Sequence, residues 1–310
     1  MKLKGVLIMG FGGPDSQEAI EPFMTRVMGG RQPSPELLAK IKARYDLIGG
    51  KSPLVEITMA QAKALEEALQ NHGNYRVYVG MCNWQPYIGA ALEQMVRDGV
   101  DEACAISISP HRSRITTDSY EQELADAFAK LGSEPAINRK FEEIALAGDW
   151  YDHPLFIGAL ALNAEEVLKK LPQREKVHVI FSAHSLPVSY VEGENADPYA
   201  RQVEATVAAL APRLGDINWR LAYQSKGGGQ GQWLGPTVEE VLDQLAAQGT
   251  KDVLVVPIGF AGEHIETLYD IDIDQRQHAE ALGLNFHRSP ALNTSPKFIE
   301  ALADMVRKTI

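Results

Sequence analysis

Val177-His178-Val179-Ile180-Phe181-Ser182-Ala183-His184-Ser185-Leu186-Pro187 is the stretch on which the fold turns. Val177 to Ser182 is a short, largely β-branched apolar run, which reads as a buried strand. A histidine stands at its C-terminal end, and Ser185-Leu186-Pro187 supplies a turn. The first half opens the same way, with Val6-Leu7-Ile8-Met9 running into Gly12-Gly13-Pro14. Further strands are expected at Tyr75 to Gly80, Cys104 to Ser109, Trp219 to Tyr223, Asp252 to Pro257 and Leu284 to Phe286. Amphipathic helices fall between them. Ile88, Leu92, Met95 and Val96 mark one; Val238, Val241, Leu242 and Leu245 mark another. Ser295-Pro296 opens a last helix with Phe298, Ile299, Leu302, Met305 and Val306 on one face. Such alternation predicts an α/β protein with parallel sheets flanked by helices.

The two halves share a layout. Each also has a later strand leading into a histidine-bearing loop, Ser109-Pro110-His111 and Ile258 through His264. Two Rossmann-like domains are therefore expected, over residues 1–150 and 151–310, with a cleft between them. The boundary should fall near Trp150 to Pro154. Extra helices between the first two strands, roughly Asp15 to Asn71, would form a wall of the cleft, and the last helix is free to pack on the N-terminal domain. Ligands of open α/β sheets sit beyond the carboxyl ends of the strands.

The net charge of -11 argues against a nucleic-acid binder, which needs basic surface to meet phosphates. Cys82 and Cys104 form no CxxC pattern, so neither a thiolate zinc site nor an Fe–S cluster is expected. Low cysteine use fits a reducing cytoplasm. No apolar stretch approaches the roughly 18 residues of a membrane span. The opening MKLKGVLIMGFGGP reads as a first strand and turn rather than a signal segment. Several motif matches fail. Asp15 and Pro14 spoil a dinucleotide loop at Gly10-Phe11-Gly12-Gly13, and Tyr45 stands where a P-loop ending at Gly50-Lys51-Ser52 needs glycine. No GxSxG surrounds Ser182 or Ser185. Gly227-Gly228-Gly229 reads as a flexible turn.

Two segments carry candidate chemistry. His184, at a strand end, can take a proton or ligate a metal near neutral pH; a hydrogen-bonded strand-edge histidine is the bland reading. Glu266, Asp270 and Asp274 recur every four residues, which on a helix places three carboxylates in one ridge beside Ile265, Tyr269 and Ile273. A solvated acidic face is the alternative. Like charges at this spacing repel, and no lysine or arginine interrupts the row. Such a row makes sense if cations pass along it, and oxygen ligands with one imidazole hold a divalent ion such as Fe²⁺ loosely. His184 and Glu266 begin at the ends of two second-half strands and are expected to face each other.

At these residues the sequence resembles the ferrochelatases, which insert Fe²⁺ into a porphyrin in haem biosynthesis. The resemblance covers nearly the whole chain. It rests on Arg44-Tyr45 through Ile48-Gly49-Gly50-Lys51-Ser52-Pro53-Leu54, on Ser182 through Pro187, on Asp197-Pro198-Tyr199, Gln224-Ser225 and Trp233-Leu234-Gly235-Pro236, and on His264-Ile265-Glu266-Thr267-Leu268-Tyr269. It implies a lyase-class metal chelatase of two Rossmann-like domains around a cleft. His184 and Glu266 would be the metal and proton-handling residues, with Asp270 and Asp274 on a metal path. Phe11, Arg31, Arg44, Tyr45, Ser52 and Tyr120 would line the porphyrin or hold its propionates, for which guanidinium and hydroxyl groups are suited.

The layout Pro110-His111-Arg112-Ser113 to Ser119-Tyr120 resembles the Gram-positive branch, which acts on coproporphyrin III rather than protoporphyrin IX. Phe11 stands where that branch usually has tyrosine, Asn83 replaces a common histidine, and Arg31 persists without the arginine pair of some relatives. The resemblance further implies a cytoplasmic monomer with no cofactor beyond substrate Fe²⁺. The rival readings are a cobalt or nickel chelatase of the sirohydrochlorin type, and a non-catalytic haem or metal carrier.

Overall fold

The computed structural model describes residues 2–132, 140–228 and 231–310; Gly229 of the glycine cluster lies outside them. Two four-stranded sheets form, each wholly parallel in its pairings. The first holds β1 (Leu3–Gly10), β2 (Asn74–Met81), β3 (Glu102–Ser107) and β4 (Ala145–Leu146) in the order β2-β1-β3-β4. The second holds β5 (His178–His184), β6 (Asn218–Gln224), β7 (Asp252–Pro257) and β8 (Asn285–Arg288) in the order β6-β5-β7-β8. The order is thus the same in both, with the first strand of each half central. Central strands are covered on both faces, which explains their unbroken apolar runs: Val6, Leu7, Ile8, Val179, Ile180 and Phe181 have no exposed surface.

Helices Ile20–Val27, Pro35–Leu47 and Leu54–Leu69 fill the interval between β1 and β2. Ser34 caps the second of these, its hydroxyl accepting from the Leu37 N–H at 3.2 Å with proline at the first turn. Helix Val238–Ala247 starts on a capping box formed by Thr237 and Glu240. The glycines after β1 serve the turn. Gly12 has φ +90°, and a Cβ there would lie 2.9 Å from the Trp84 backbone nitrogen. Gly80 lets helix Ile88–Arg97 approach β2, since a Cβ there would lie 2.8 Å from the Ile88 Cα.

The chain forms two compact units. One takes in Met1–Ser109, Arg114–Trp150 and Asn293–Ile310; the other takes in Pro110–Ser113 and Tyr151–Leu292. Two segments therefore differ from a simple division at 150. The last helix, Pro296–Thr309, belongs with the first unit, where Phe298 packs on Trp150 at 5.6 Å between ring centroids and the Gln61 amide donates to the Asn293 carbonyl at 2.9 Å. Pro110-His111-Arg112-Ser113 belongs with the second. His111 Nε2 lies 2.8 Å from Thr206 Oγ1, and the Arg112 N–H donates to Gln202 at 2.7 Å.

The acidic row lies on a helix of a different kind from the one expected. Glu266–Gln275 is a π-helix, continued by the α-helix Arg276–Ala281. Its i→i+5 bonding widens the turn, so the fourth residue still lies close to the first and the row remains a ridge. The buried ridge is Thr267, Ile271 and Gln275, on the other side of the acidic row from Ile265, Tyr269 and Ile273, which are only partly buried. Among the described residues, no helix is long and apolar enough to cross a membrane.

Candidate functional site

His184 is the last residue of β5, and its backbone is fixed from several directions. The Tyr199 phenol donates to the His184 carbonyl at 2.8 Å. The next residue, Ser185, donates through its N–H to the Gln224 carbonyl at 2.7 Å and through its hydroxyl to the Leu234 carbonyl at 2.8 Å. Tyr199 is itself buried, its ring edge-on to His111 at 5.8 Å. The strand therefore delivers the imidazole from a rigid base.

Glu266 meets it from the first turn of the π-helix. Its Oε1 lies 3.4 Å from His184 Nε2, and its Oε2 lies 3.4 Å from His264 Nε2. One carboxylate thus stands between two imidazoles. The side chains of His184 and Glu266 are about a quarter exposed, at 25% and 27%. The pair is shielded yet open to an incoming group. His264 Nδ1 lies 3.2 Å from the Gly262 carbonyl, which can only accept, so Nδ1 carries a proton and Nε2 faces the carboxylate. Phe260 packs on the His264 ring at 4.5 Å.

Burial by itself lowers the His184 pKa. The charge and hydrogen bond of Glu266, a backbone contact at Ser185 and the charge of Asp270 outweigh it, and the net shift is upward. Burial likewise raises the Glu266 carboxyl, but His184 first and His264 second hold it well below the usual carboxylate range. A proton or a cation belongs between these groups.

The rest of the row runs outward. Ser225 donates to Asp270 at 2.5 Å, and its backbone sits at φ +58°, strained for a serine. Gln224 donates to the Glu266 carbonyl at 3.1 Å, and the buried Ser182 hydroxyl donates to the Gln224 side chain. β5, β6 and the π-helix are thereby tied together at the site. Glu266 and Asp270 are partly buried and Asp274 is exposed, so the ridge grades from the histidines to solvent. Among the described residues, no group of three or more His, Cys, Asp and Glu side chains is arranged as a ready metal cage.

The structure brings together His184, Glu266 and Asp270, and adds His264, Gln224, Ser225 and Tyr199, which were not among the expected site residues. His264 lies only two positions before Glu266, and side chains at i and i+2 do not face each other on a helix. It does so here because it stands in the turn before the helix starts.

The expected porphyrin-contact residues lie in the other unit. Phe11 follows β1 and meets Phe23 edge-on at 6.3 Å, while Phe23 meets Trp84 at 6.4 Å. Arg31 is exposed, its Nε donating to the Met28 carbonyl at 3.3 Å. Arg44 is partly buried. Tyr45, Ser52 and Tyr120 are buried, at 3%, 4% and 1% exposure. Tyr120 belongs to the same apolar core cluster as Leu7, Met9 and Leu124, and Ser52 donates its N–H to the Pro14 carbonyl at 2.7 Å. Burial at this level leaves those three little surface to offer a ligand in this conformation.

The family model described as "Ferrochelatase" matches residues 3–310. A ferrochelatase of Geotalea uraniireducens (strain Rf4) is 42% identical over 98% of this chain and 97% of its own length. A coproporphyrin III ferrochelatase of Geobacillus sp. (strain WCH70) is 37% identical over 100% of this chain and 98% of its own. Among solved structures, SirB from Bacillus subtilis with Fe³⁺ aligns with a TM-score of 0.60, covering 100% of this chain and 96% of that one. At 15% identity, the SirB likeness speaks to the chelatase-type fold alone. The match over nearly all its length to the family model and to these relatives shows that this chain belongs to the ferrochelatase family.

Proposed function

We propose that this chain inserts Fe²⁺ into a porphyrin, with His184, His264 and Glu266 handling the metal and the two pyrrole protons. The observation that carries the reading is Glu266 lying 3.4 Å from an imidazole on either side. Insertion releases two N–H protons as Fe²⁺ takes their place, and two imidazoles beside one carboxylate offer receivers for both. His184 acts as general base, and Glu266 ligates the ion or relays protons. Asp270 and Asp274 extend the carboxylate row toward solvent and guide the ion in. Hard oxygen donors with imidazole bind Fe²⁺ loosely enough to pass it on. No resident cofactor is needed. Bending the macrocycle exposes its nitrogen lone pairs, and such strain, about 1–5 kcal/mol, is drawn from contacts remote from the metal. Arg31 and Arg44 supply those contacts to propionates and Phe11 packs on the ring; Tyr45, Ser52 and Tyr120 support them from within.

The substrate we infer is coproporphyrin III, on the Pro110-His111 to Ser119-Tyr120 layout and the similarity to relatives named for that porphyrin. The chain is read as a cytoplasmic monomer. Steady-state Fe²⁺ insertion with coproporphyrin III and protoporphyrin IX side by side, followed by loss of free-porphyrin fluorescence, tests the chelatase activity and the choice of porphyrin. The expected result is turnover with a higher kcat/KM for coproporphyrin III. A preference for protoporphyrin IX overturns the substrate, and binding of haem without turnover overturns the chelatase.

A further inference from the structure

Glu263 and Asp272 stand on either side of the segment that carries His264, Glu266 and Asp270, and one guanidinium holds both. Arg288 is the last residue of β8. Its Nε and Nη2 donate to the two Asp272 oxygens at 2.7 and 2.6 Å, and its Nη1 donates to Glu263 at 2.9 and 3.2 Å. The Arg288 side chain is 12% exposed, Glu263 14% and Asp272 27%. Glu263 also accepts from the Ala291 N–H at 2.9 Å, which ties it to the chain beyond β8.

We propose that Arg288 is a positioning residue for the metal and proton site: by tying Glu263 and Asp272 to β8, it sets where His264 and Glu266 are presented. The proposal rests on the function proposed above. Arg288 makes no hydrogen bond to His264, Glu266 or His184, so it acts through the backbone between its two partners. That backbone needs an external hold. Runs of i→i+5 bonding are rare and mostly single turns, whereas this one spans 10 residues. Its hold comes from Gln224 on the Glu266 carbonyl, from Arg276 on the Asp272 carbonyl at 3.1 Å, and from the Arg288 fork on the Asp272 side chain. At the near end Thr267 closes the turn, with its hydroxyl 3.0 Å from both the N–H and the carbonyl of His264. Glu263, one residue earlier, is the anchor of that turn. The same pairing occupies Asp272, whose oxygens are taken by Arg288 with Arg276 Nη2 at 3.7 Å, while Glu266 and Asp270 face other partners. A planar fork donates to the two carboxylates from three separate nitrogens; a lysine ammonium presents its donors from a single nitrogen and cannot reproduce that geometry.

Arg288→Lys tests this. Loosening a support behind a metal site typically costs about 10- to 100-fold, so kcat for Fe²⁺ insertion should fall by that amount with porphyrin KM little changed. Histidine ¹³C NMR of the same variant should show His184 returning toward its ordinary titration range, because Glu266 no longer stands beside it. Free guanidinium should restore part of the kcat of Arg288→Ala, and methylammonium should not. If the Arg288 variants do not fold, Asp272→Asn, which loosens one end only, should lower kcat and move His184 in the same directions. A wild-type kcat with wild-type histidine titration overturns the proposal, as does a lowered melting temperature with both unchanged. The NMR measurement needs no turnover. A wild-type chain that fails to chelate would refute the proposed function, while the His184 shift would still decide the role of Arg288.

Discussion

Replacing His111 by glutamine should flatten the acid side of the stability curve. His111 is 2% exposed, and its Nε2 lies 2.8 Å from Thr206 Oγ1. The Thr206 hydroxyl has one proton, and the Tyr151 carbonyl at 2.8 Å and the Gln202 carbonyl at 3.1 Å compete for it. Thr206 must therefore accept from His111, which fixes the proton of the neutral ring on Nε2. Nδ1 is buried with no hydrogen-bond partner among the described residues, so a second proton would create a buried, unmatched charge. Burial pushes the His111 pKa down from 6.5 to about 3. The folded value lies below the unfolded one, so the unfolded chain takes up a proton that the folded chain refuses as pH falls below 6.5. Stability is lost on that side at up to about 1.4 kcal/mol per pH unit, which from pH 7 to pH 5 amounts to about 2 kcal/mol. Glutamine retains a donor for Thr206 and does not titrate. Urea unfolding of both proteins at pH 7 and pH 5 should show the variant losing about 2 kcal/mol less than the parent across that interval. An equal loss in the two proteins would mean that His111 is not held neutral, and the tautomer assignment would fall with it.

Other substitutions probe the site and the packing behind it. In Glu266→Gln the group that raises His184 is gone and burial remains, so the acid limb of the pH–rate profile and the His184 NMR titration should both move to lower pH; an unmoved titration would show that the two side chains are not coupled in solution. Gly80→Ala brings a methyl group against the Ile88 backbone, and a drop of roughly 1–3 kcal/mol by thermal or urea unfolding is expected, as for an overpacked core. A neutral result there would mean that helix Ile88–Arg97 sits further from β2 than the structure has it.

Much of the architecture could be read from residue order, for physical reasons. Runs such as Val6 to Met9 and Val177 to Ser182 are buried on both faces, so they stand out from the amphipathic helices between them. β4 is only Ala145–Leu146, too short to leave such a signal. His184 was legible because a strand end is where this kind of sheet binds ligands. The π-helix was not, because a four-residue repeat keeps a ridge under either helical geometry. Gln224 and Ser225 act through the register that sets His184 opposite Gln224, a pairing across strands that local patterning does not reveal. His111 and Arg112 follow a first-half strand but belong with the second unit because their respective partners, Thr206 and Gln202, lie 95 and 90 residues further along. The last helix showed its apolar face clearly, yet only tertiary structure shows that the face meets Trp150.

The most direct test of the His184–Glu266 pair is single-turnover Fe²⁺ insertion by His184→Ala, with porphyrin binding measured separately by fluorescence titration. Removing a general base typically slows a reaction by about 10²–10⁴, so insertion should fall by at least that range while the porphyrin still binds. Insertion at the parent rate would show that the imidazole at the end of β5 neither takes the proton nor meets the metal.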